Sequence, residues 1–157
     1  METEISKATG KDLPSILHLY ANLGMDDGNI LTLKEAKRIF NRIKTYPDYK
    51  LYIARVDKEI VGTFALIIMD NIGHMGTPSG IVEDVVVHPE WRGKGVGKKM
   101  MQFAMERCKK RGCYKMALSS NIKREDAHCF YESLGFKKHG YSFIVELADY
   151  PNDQKGE

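Results

Sequence analysis

The sequence predicts an α/β fold, with one mixed central sheet flanked by helices. Three observations predict it. The chain has 157 residues, a length that suits one core. Strand-like and helix-like apolar patterns follow one another in the order β-α-α-β-β-β-α-β-α-β. Within that order, residues 81–119 read as strand–helix–strand, the unit of a right-handed crossover between parallel neighbours. A single domain is expected over residues 1–148, with a polar tail over 149–157.

The elements follow in order. Residues 3–8 form a first strand. Thr9-Gly10-Lys11-Asp12 is a turn in which Asp12 is a candidate helix cap, with Pro14 just inside the first turn. Ile16, Leu17, Tyr20, Ala21 and Leu23 repeat at helical spacing up to Gly24. Residues 25–30 form a loop. Thr32 and Glu35 have the spacing of a capping box before the stripe Leu33, Ala36, Ile39, Phe40 and Ile43. Tyr46-Pro47-Asp48 stops that helix. Residues 51–56 and 60–69 read as an antiparallel hairpin around Asp57-Lys58-Glu59. A loop over 70–79 leads to a strand over 80–88. Val96, Met100, Phe103, Ala104 and Cys108 mark one helix face, ended by Gly112. A strand over 114–119, a helix over 124–134 and a final strand within 137–147 complete the chain.

Composition narrows the function classes. With 43% hydrophobic and 29% charged residues, the chain has the balance of an ordinary globular protein. A net charge of +3 gives no nucleic-acid signature by itself. No apolar run approaches the ~20 residues of a membrane span. The first residues are acidic and lack a signal-peptide core, so the cytoplasm is the expected compartment. Cys108, Cys113 and Cys129 lack the spacing of a zinc site or disulfide framework, and the histidines show no metal-ligand spacing; no metal is expected.

The chemistry concentrates in Arg92-Gly93-Lys94-Gly95-Val96-Gly97-Lys98. A strand precedes this run and a helix follows it. Glycines let the backbone approach a ligand closely. The first amides of the helix are unpaired and lie at the positive end of its dipole. With Lys99, the run places four cations within residues 92–99, which suits a pyrophosphate. It is not a Walker A loop, because Lys99 stands where a serine or threonine would follow Gly97-Lys98. It is not a dinucleotide fingerprint, because position 98 is lysine.

The flanks make the signal specific. Residues 83–97, from Glu83-Asp84-Val85-Val86-Val87 through His88-Pro89-Glu90-Trp91 to Gly97, resemble the acyl-CoA-binding core of the GNAT N-acetyltransferase superfamily. Downstream, residues 127–136 resemble its A-x-x-x-Y-x-x-x-G-F segment, with Tyr131 at the tyrosine. The nearest resemblance is to small-molecule members: residues 118–128 resemble aminoalkylphosphonate N-acetyltransferases, and residues 82–87 and 112–115 resemble glucosamine-phosphate N-acetyltransferases.

The resemblance implies a GNAT-type acyl-CoA N-acyltransferase fold and an acetyl-CoA co-substrate. It implies that pantetheine pairs with the backbone of Val85, Val86 and Val87, that pyrophosphate sits on Arg92–Lys98, and that Asn121 supplies a polar contact to pantetheine. It further implies direct attack of a primary amine on the thioester, with Glu83 as base, Asp84 as the second candidate, and Tyr131 as proton donor. Arg124 stands where many members carry asparagine; Arg124 or His128 would suit an anionic group on the acceptor. The acceptor pocket is expected from residues 22–33, the loop 70–79 and the last strands, with Asp26, Asp27, His74, Met75, Tyr141 and Phe143. The expected partner is a small-molecule amine, with no nucleic acid and no membrane; edge strands leave room for a homodimer. Two other readings stay open: acetylation of a protein lysine or N-terminus, and a non-catalytic acetyl-CoA-binding regulatory module.

Overall fold

The computed structural model describes residues 2–149. The chain divides into two compact units, Met1–Leu118 and Ser119–Glu157. Within the first, the elements are β1 (Glu4–Lys7), α1 (Leu13–Leu23), α2 (Leu33–Ile43), β2 (Tyr49–Val56), β3 (Glu59–Met69), β4 (Ser79–Val87), α3 (Val96–Lys110) and β5 (Met116–Ala117). The second contains α4 (Glu125–Ser133). No helix among the described residues is long and apolar enough to cross a membrane.

The five strands lie in the order β1-β2-β3-β4-β5. The first three pairings are antiparallel and the last, β4 with β5, is parallel, so the sheet is mixed as expected. The β2–β3 turn holds only Asp57 and Lys58 between the Val56–Glu59 pair. Both have positive φ, the twist that a two-residue hairpin requires.

Register assigns side chains to faces, because directly paired residues share a face and neighbours alternate. Leu51, Ala65 and Glu83 pair across three strands, and so do Tyr49, Ile67 and Ile81. These six residues therefore share one face. Leu51 packs there against the buried cluster of Leu13, Ala36 and Phe40, which makes it the α1–α2 face. Burying a side chain such as Phe40 contributes about 2–3 kcal/mol. On the opposite face, Tyr52 stacks on Phe64 (ring centroids 5.2 Å apart) and meets the edge of Phe103 of α3 (5.0 Å). At Gly80, an added Cβ would collide with Cys108 Sγ of α3; the absent side chain is what brings this helix against β4.

Some details differ from the sequence expectation. Asp12 does not cap α1. Its carboxylate turns back to accept from the Thr9 amide (2.7 Å) and pairs with Arg55 (2.7 Å), a long-range partner that outcompetes the local one. Thr32 does cap α2, accepting from the Glu35 amide at 3.3 Å, but the Glu35 carboxylate pairs with Arg38 instead of closing the box. The strand expected over 114–119 is reduced to Met116–Ala117.

The strand expected within 137–147 does not form: among the described residues, 137–146 hold no strand. Its apolar residues are exposed, including Tyr141, Phe143 and Ile144. Strand propensity needs a partner edge to hydrogen-bond with, and local sequence cannot supply one. The polar tail expected over 149–157 lies, from residue 150 onward, outside the described residues.

Candidate active site

The site begins with a break in the β3–β4 ladder. Thr63 pairs with Val86, but Ala65 pairs with Glu83. Asp84 and Val85 thus oppose Phe64 alone, which is a β-bulge. Asp84 sits at its centre with φ of +51°, in the left-handed region that non-glycine residues seldom occupy. A regular strand would send Glu83 and Asp84 to opposite faces. The bulge removes that alternation, and both carboxyls reach the surface.

Neither carboxyl has an ion-pair partner among the described residues. Partial loss of water raises both above their ordinary carboxylate values, and the neighbouring Asp84 charge raises Glu83 further. Asp84 acts on two phenols of the α1–α2 face. Tyr20 of α1 is raised well above an ordinary phenol, first by burial, then by Asp84 and Tyr49. Tyr49 of β2 is raised by burial, Asp84, Glu83 and Tyr46. The bulge therefore aims Asp84 toward the face that Glu83 already occupies.

A cavity of about 370 Å³ lies at Tyr49, lined by Tyr46, Tyr49, Ile67, Met69 and Asp70 among others; Tyr20, Glu83 and Asp84 are not in its lining. The Tyr46 and Tyr49 rings lie 5.9 Å apart at its wall. A larger cavity of about 660 Å³, lined by His18, Arg55 and His88 among others, includes neither bulge carboxylate.

Beyond the bulge, β4 loses its parallel neighbour. β5 pairs only with Gly80 and Ile81, so Val85, Val86 and Val87 have no strand on that side within the first unit. A bulge bends and twists its strand, which accounts for the short pairing. Val86 is buried, and Val85 and Val87 are half-buried, so their side chains pack while this edge of the strand carries no neighbouring strand within the first unit.

The loop after β4 turns at Pro89–Trp91 and is braced by Arg92, whose Nε donates to the Val87 carbonyl at 3.2 Å. Gly93 and Gly95 have φ of +72° and +86°, and nothing lies within 4 Å of an added Cβ at either. Gly95 caps α3, and its carbonyl accepts the first helical bond, from the Lys99 amide at 3.1 Å. The amides from Gly93 to Lys98 have no backbone partner among the described residues. Val96 is buried and anchors the helix start, Gly97 is half-buried, and Arg92, Lys94, Lys98 and Lys99 are exposed. Lys94 also lies over the Trp91 ring, 5.0 Å from its centroid. Open amides, exposed cations and free space above the glycines fit a pyrophosphate.

In the second unit, Tyr131 is buried on α4. Its ring meets Phe130 (5.2 Å) and Phe136 (5.5 Å). Burial raises its phenol, while Arg124 acts in the lowering direction. Asn121 belongs to the turn before α4: its Oδ1 accepts from the Lys123 amide and its carbonyl accepts from the Arg124 amide. His128 Nε2 lies 2.9 Å from that same carbonyl. Arg124 and Asn121 are exposed.

The other acceptor-pocket candidates sit in loops. Asp26 and Asp27 occupy an exposed turn with positive φ. His74 stacks on Tyr114 at 4.4 Å, Met75 is exposed, and the rings of exposed Tyr141 and Phe143 lie 6.4 Å apart. Tyr20 and Tyr49 were not among the sequence candidates. Tyr20 reads as part of a helix stripe, and Tyr49 falls beside Pro47-Asp48, where the sequence signals a stop. Strand register places Tyr49 on the Glu83 face, and α1, which carries Tyr20, packs on that same face.

An anion cradle at the end of β4 and unpaired carboxyls at its bulge are the parts of a group-transfer enzyme that takes a phosphorylated co-substrate. The profile described as "Acetyltransferase (GNAT) family" matches residues 16–136, and the chain belongs to this family of N-acetyltransferases. The family's acetyl donor is acetyl-CoA.

Over 154 residues the chain is 31% identical to the glucosamine 6-phosphate N-acetyltransferase of Trypanosoma brucei brucei, covering 94% of this chain and 97% of that one. It is 28% identical over 144 residues to the aminoalkylphosphonate N-acetyltransferase of Salmonella typhimurium, with 92% and 91% covered. The crystal structure of glucosamine-6-phosphate N-acetyltransferase from Arabidopsis thaliana superposes with a TM-score of 0.82 at 26% identity, covering 94% of this chain and 99% of that one.

Proposed function

We propose that the protein transfers an acetyl group from acetyl-CoA to the primary amine of a small molecule by direct attack on the thioester, with residues 1–148 as the catalytic domain. The observation that carries this reading is the β-bulge at Asp84, which presents two unpaired carboxyls beside a strand edge without a partner. Acetyl-CoA supplies an activated acyl group. The free amides of Gly93–Lys98 and the cations Arg92, Lys94 and Lys98 hold its pyrophosphate, the open backbone of Val85, Val86 and Val87 aligns its pantetheine arm, and Asn121 adds a polar contact.

The amine arrives as an ammonium, which has no lone pair. Glu83, with Asp84 beside it, takes the proton, directly or through water; its raised pKa makes it a better base. The new C–N bond forms as the C–S bond breaks; the departing thiolate takes a proton from Tyr131, the new amide nitrogen gives up its second proton, which restores the Tyr131 phenol through water, and the proton on Glu83 passes to solvent. Burial keeps the Tyr131 phenol protonated at neutral pH, as a donor must be.

The named substrates of the relatives, glucosamine 6-phosphate and an aminoalkylphosphonate, both join an amine to a phosphorus oxyanion. Amines of that kind head the panel to be tested. In a steady-state thiol-release assay, one or more small primary amines is expected to support turnover, and Tyr131→Phe is expected to lower kcat by about 10²-fold with acetyl-CoA KM little changed. Release with peptides only would replace this reading with protein acetylation. Acetyl-CoA binding without release on any amine or peptide would make the protein a binding module.

A further inference from the structure

Two aromatic side chains that no sequence motif marks belong to elements on the Glu83 side of the sheet. Tyr20 comes from α1, and Tyr49 from the first residue of β2. Register puts Tyr49 on the sheet face of Glu83, two residues along from the Leu51–Ala65–Glu83 row. Both rings are half-buried, so each is fixed by packing while part of it remains open. Neither phenol has a hydrogen-bond partner among the described residues. Tyr49 also walls the cavity of about 370 Å³, whose rim includes Asp70.

The cavity and the bulge, which lies outside its lining, differ in charge balance. Asp48, in the cavity wall, is neutralised by Lys50 (2.8 Å) and Arg111. Glu83 and Asp84 have no such partner. Unpaired carboxylates beside aromatic faces form an environment that favours a cation, since a ring's quadrupole attracts positive charge across its face. The cavity lies at the small end of the roughly 300–1,000 Å³ range of ligand pockets, a size for a compact amine.

We propose that Tyr20 and Tyr49 are acceptor-positioning residues: their rings flank the ammonium group that the Glu83–Asp84 bulge deprotonates, and the cavity beside Tyr49 takes the rest of the amine. This inference rests on the small-molecule amine reading above. It assigns recognition of the acceptor's ammonium end to the α1–β2 side of the site.

Two measurements test it. The first is kinetic, on whichever panel amine gives the fastest thiol release. Tyr49→Leu and Tyr20→Leu are each expected to raise the KM for that amine about tenfold while leaving acetyl-CoA KM within about twofold. A fold defect would instead degrade both KM values and lower Tm. The second needs no turnover and uses the unmodified protein. Propylammonium chloride is titrated into ¹³C-tyrosine-labelled protein, with propanol as the neutral control. Shifts of the Tyr20 and Tyr49 ring signals with the ammonium alone support the proposal; no shift, or equal shifts with both probes, overturns it. Amine turnover together with unchanged amine KM in both variants also overturns it. If no amine supports turnover, the reaction assignment fails, and the titration decides the ammonium seat separately.

Discussion

Asp84 combines a backbone conformation that disfavours most side chains with a carboxyl that has no ion-pair partner. A left-handed residue other than glycine costs about 1–2 kcal/mol, least for Asn and Asp. Asparagine therefore preserves the bulge and removes the charge. Asp84 raises Glu83, so Asp84→Asn is expected to lower the Glu83 pKa. The sign for activity follows. A base works when ionised, so activity falls as pH drops through a midpoint above the ordinary carboxylate range. In Asp84→Asn that midpoint moves to lower pH, measured as the acidic limb of kcat/KM for the amine. A loss of kcat of about 10²-fold or more would transfer the base role from Glu83 to Asp84. Both carboxylates are legible as candidates in the sequence. Their common side is not, because it depends on a ladder fault between Thr63 and Ala65, which are distant in the chain.

At the scale of elements, β4 and α3 form the frame of the site, and Gly80 sets how closely they approach. A methyl group at Gly80 would meet Cys108 Sγ, and overpacking of this kind costs about 1–3 kcal/mol. Gly80→Ala is expected to destabilise the protein by that amount in urea denaturation. Gly80→Ala combined with Cys108→Ala should recover most of the loss, because the second change removes the obstructing sulfur. If the two changes simply add, this contact does not limit the approach of α3. The amphipathic patterns of α1, α2 and α3 predict these helices well. The last strand fails for the opposite reason: residues 137–147 carry strand propensity, but a strand exists only where another edge accepts it.

Across the whole molecule, the small net charge of +3 hides a separation of charge along β4. Carboxylates sit at the bulge, and the exposed cations Arg92, Lys94, Lys98 and Lys99 follow the strand's end. Attraction between exposed cations and a pyrophosphate is screened by salt, over a Debye length of about 10 Å at 0.1 M and about 3 Å at 1 M. Raising the salt from about 20 mM to 0.5 M is therefore expected to increase acetyl-CoA KM several-fold, with little change in Tm. A salt-independent KM would mean that the loop amides, not the cations, provide the binding.

The sequence alone determined the fold class and the place of the glycine-rich loop, and it marked the carboxylate pair and Tyr131 as candidates, because each is written as a local pattern: apolar periodicity, alternating glycines among cations, or a motif of fixed spacing. The tertiary structure decided what depends on residues far apart in the chain. Strand register put Tyr49 on the face of Glu83, the packing of α1 brought Tyr20 to the same carboxylates, and the fault opposite Phe64 turned Asp84 toward them. Pairing and register arise between strands, so no single segment encodes them, and the acceptor side of the site emerges only once the sheet is formed.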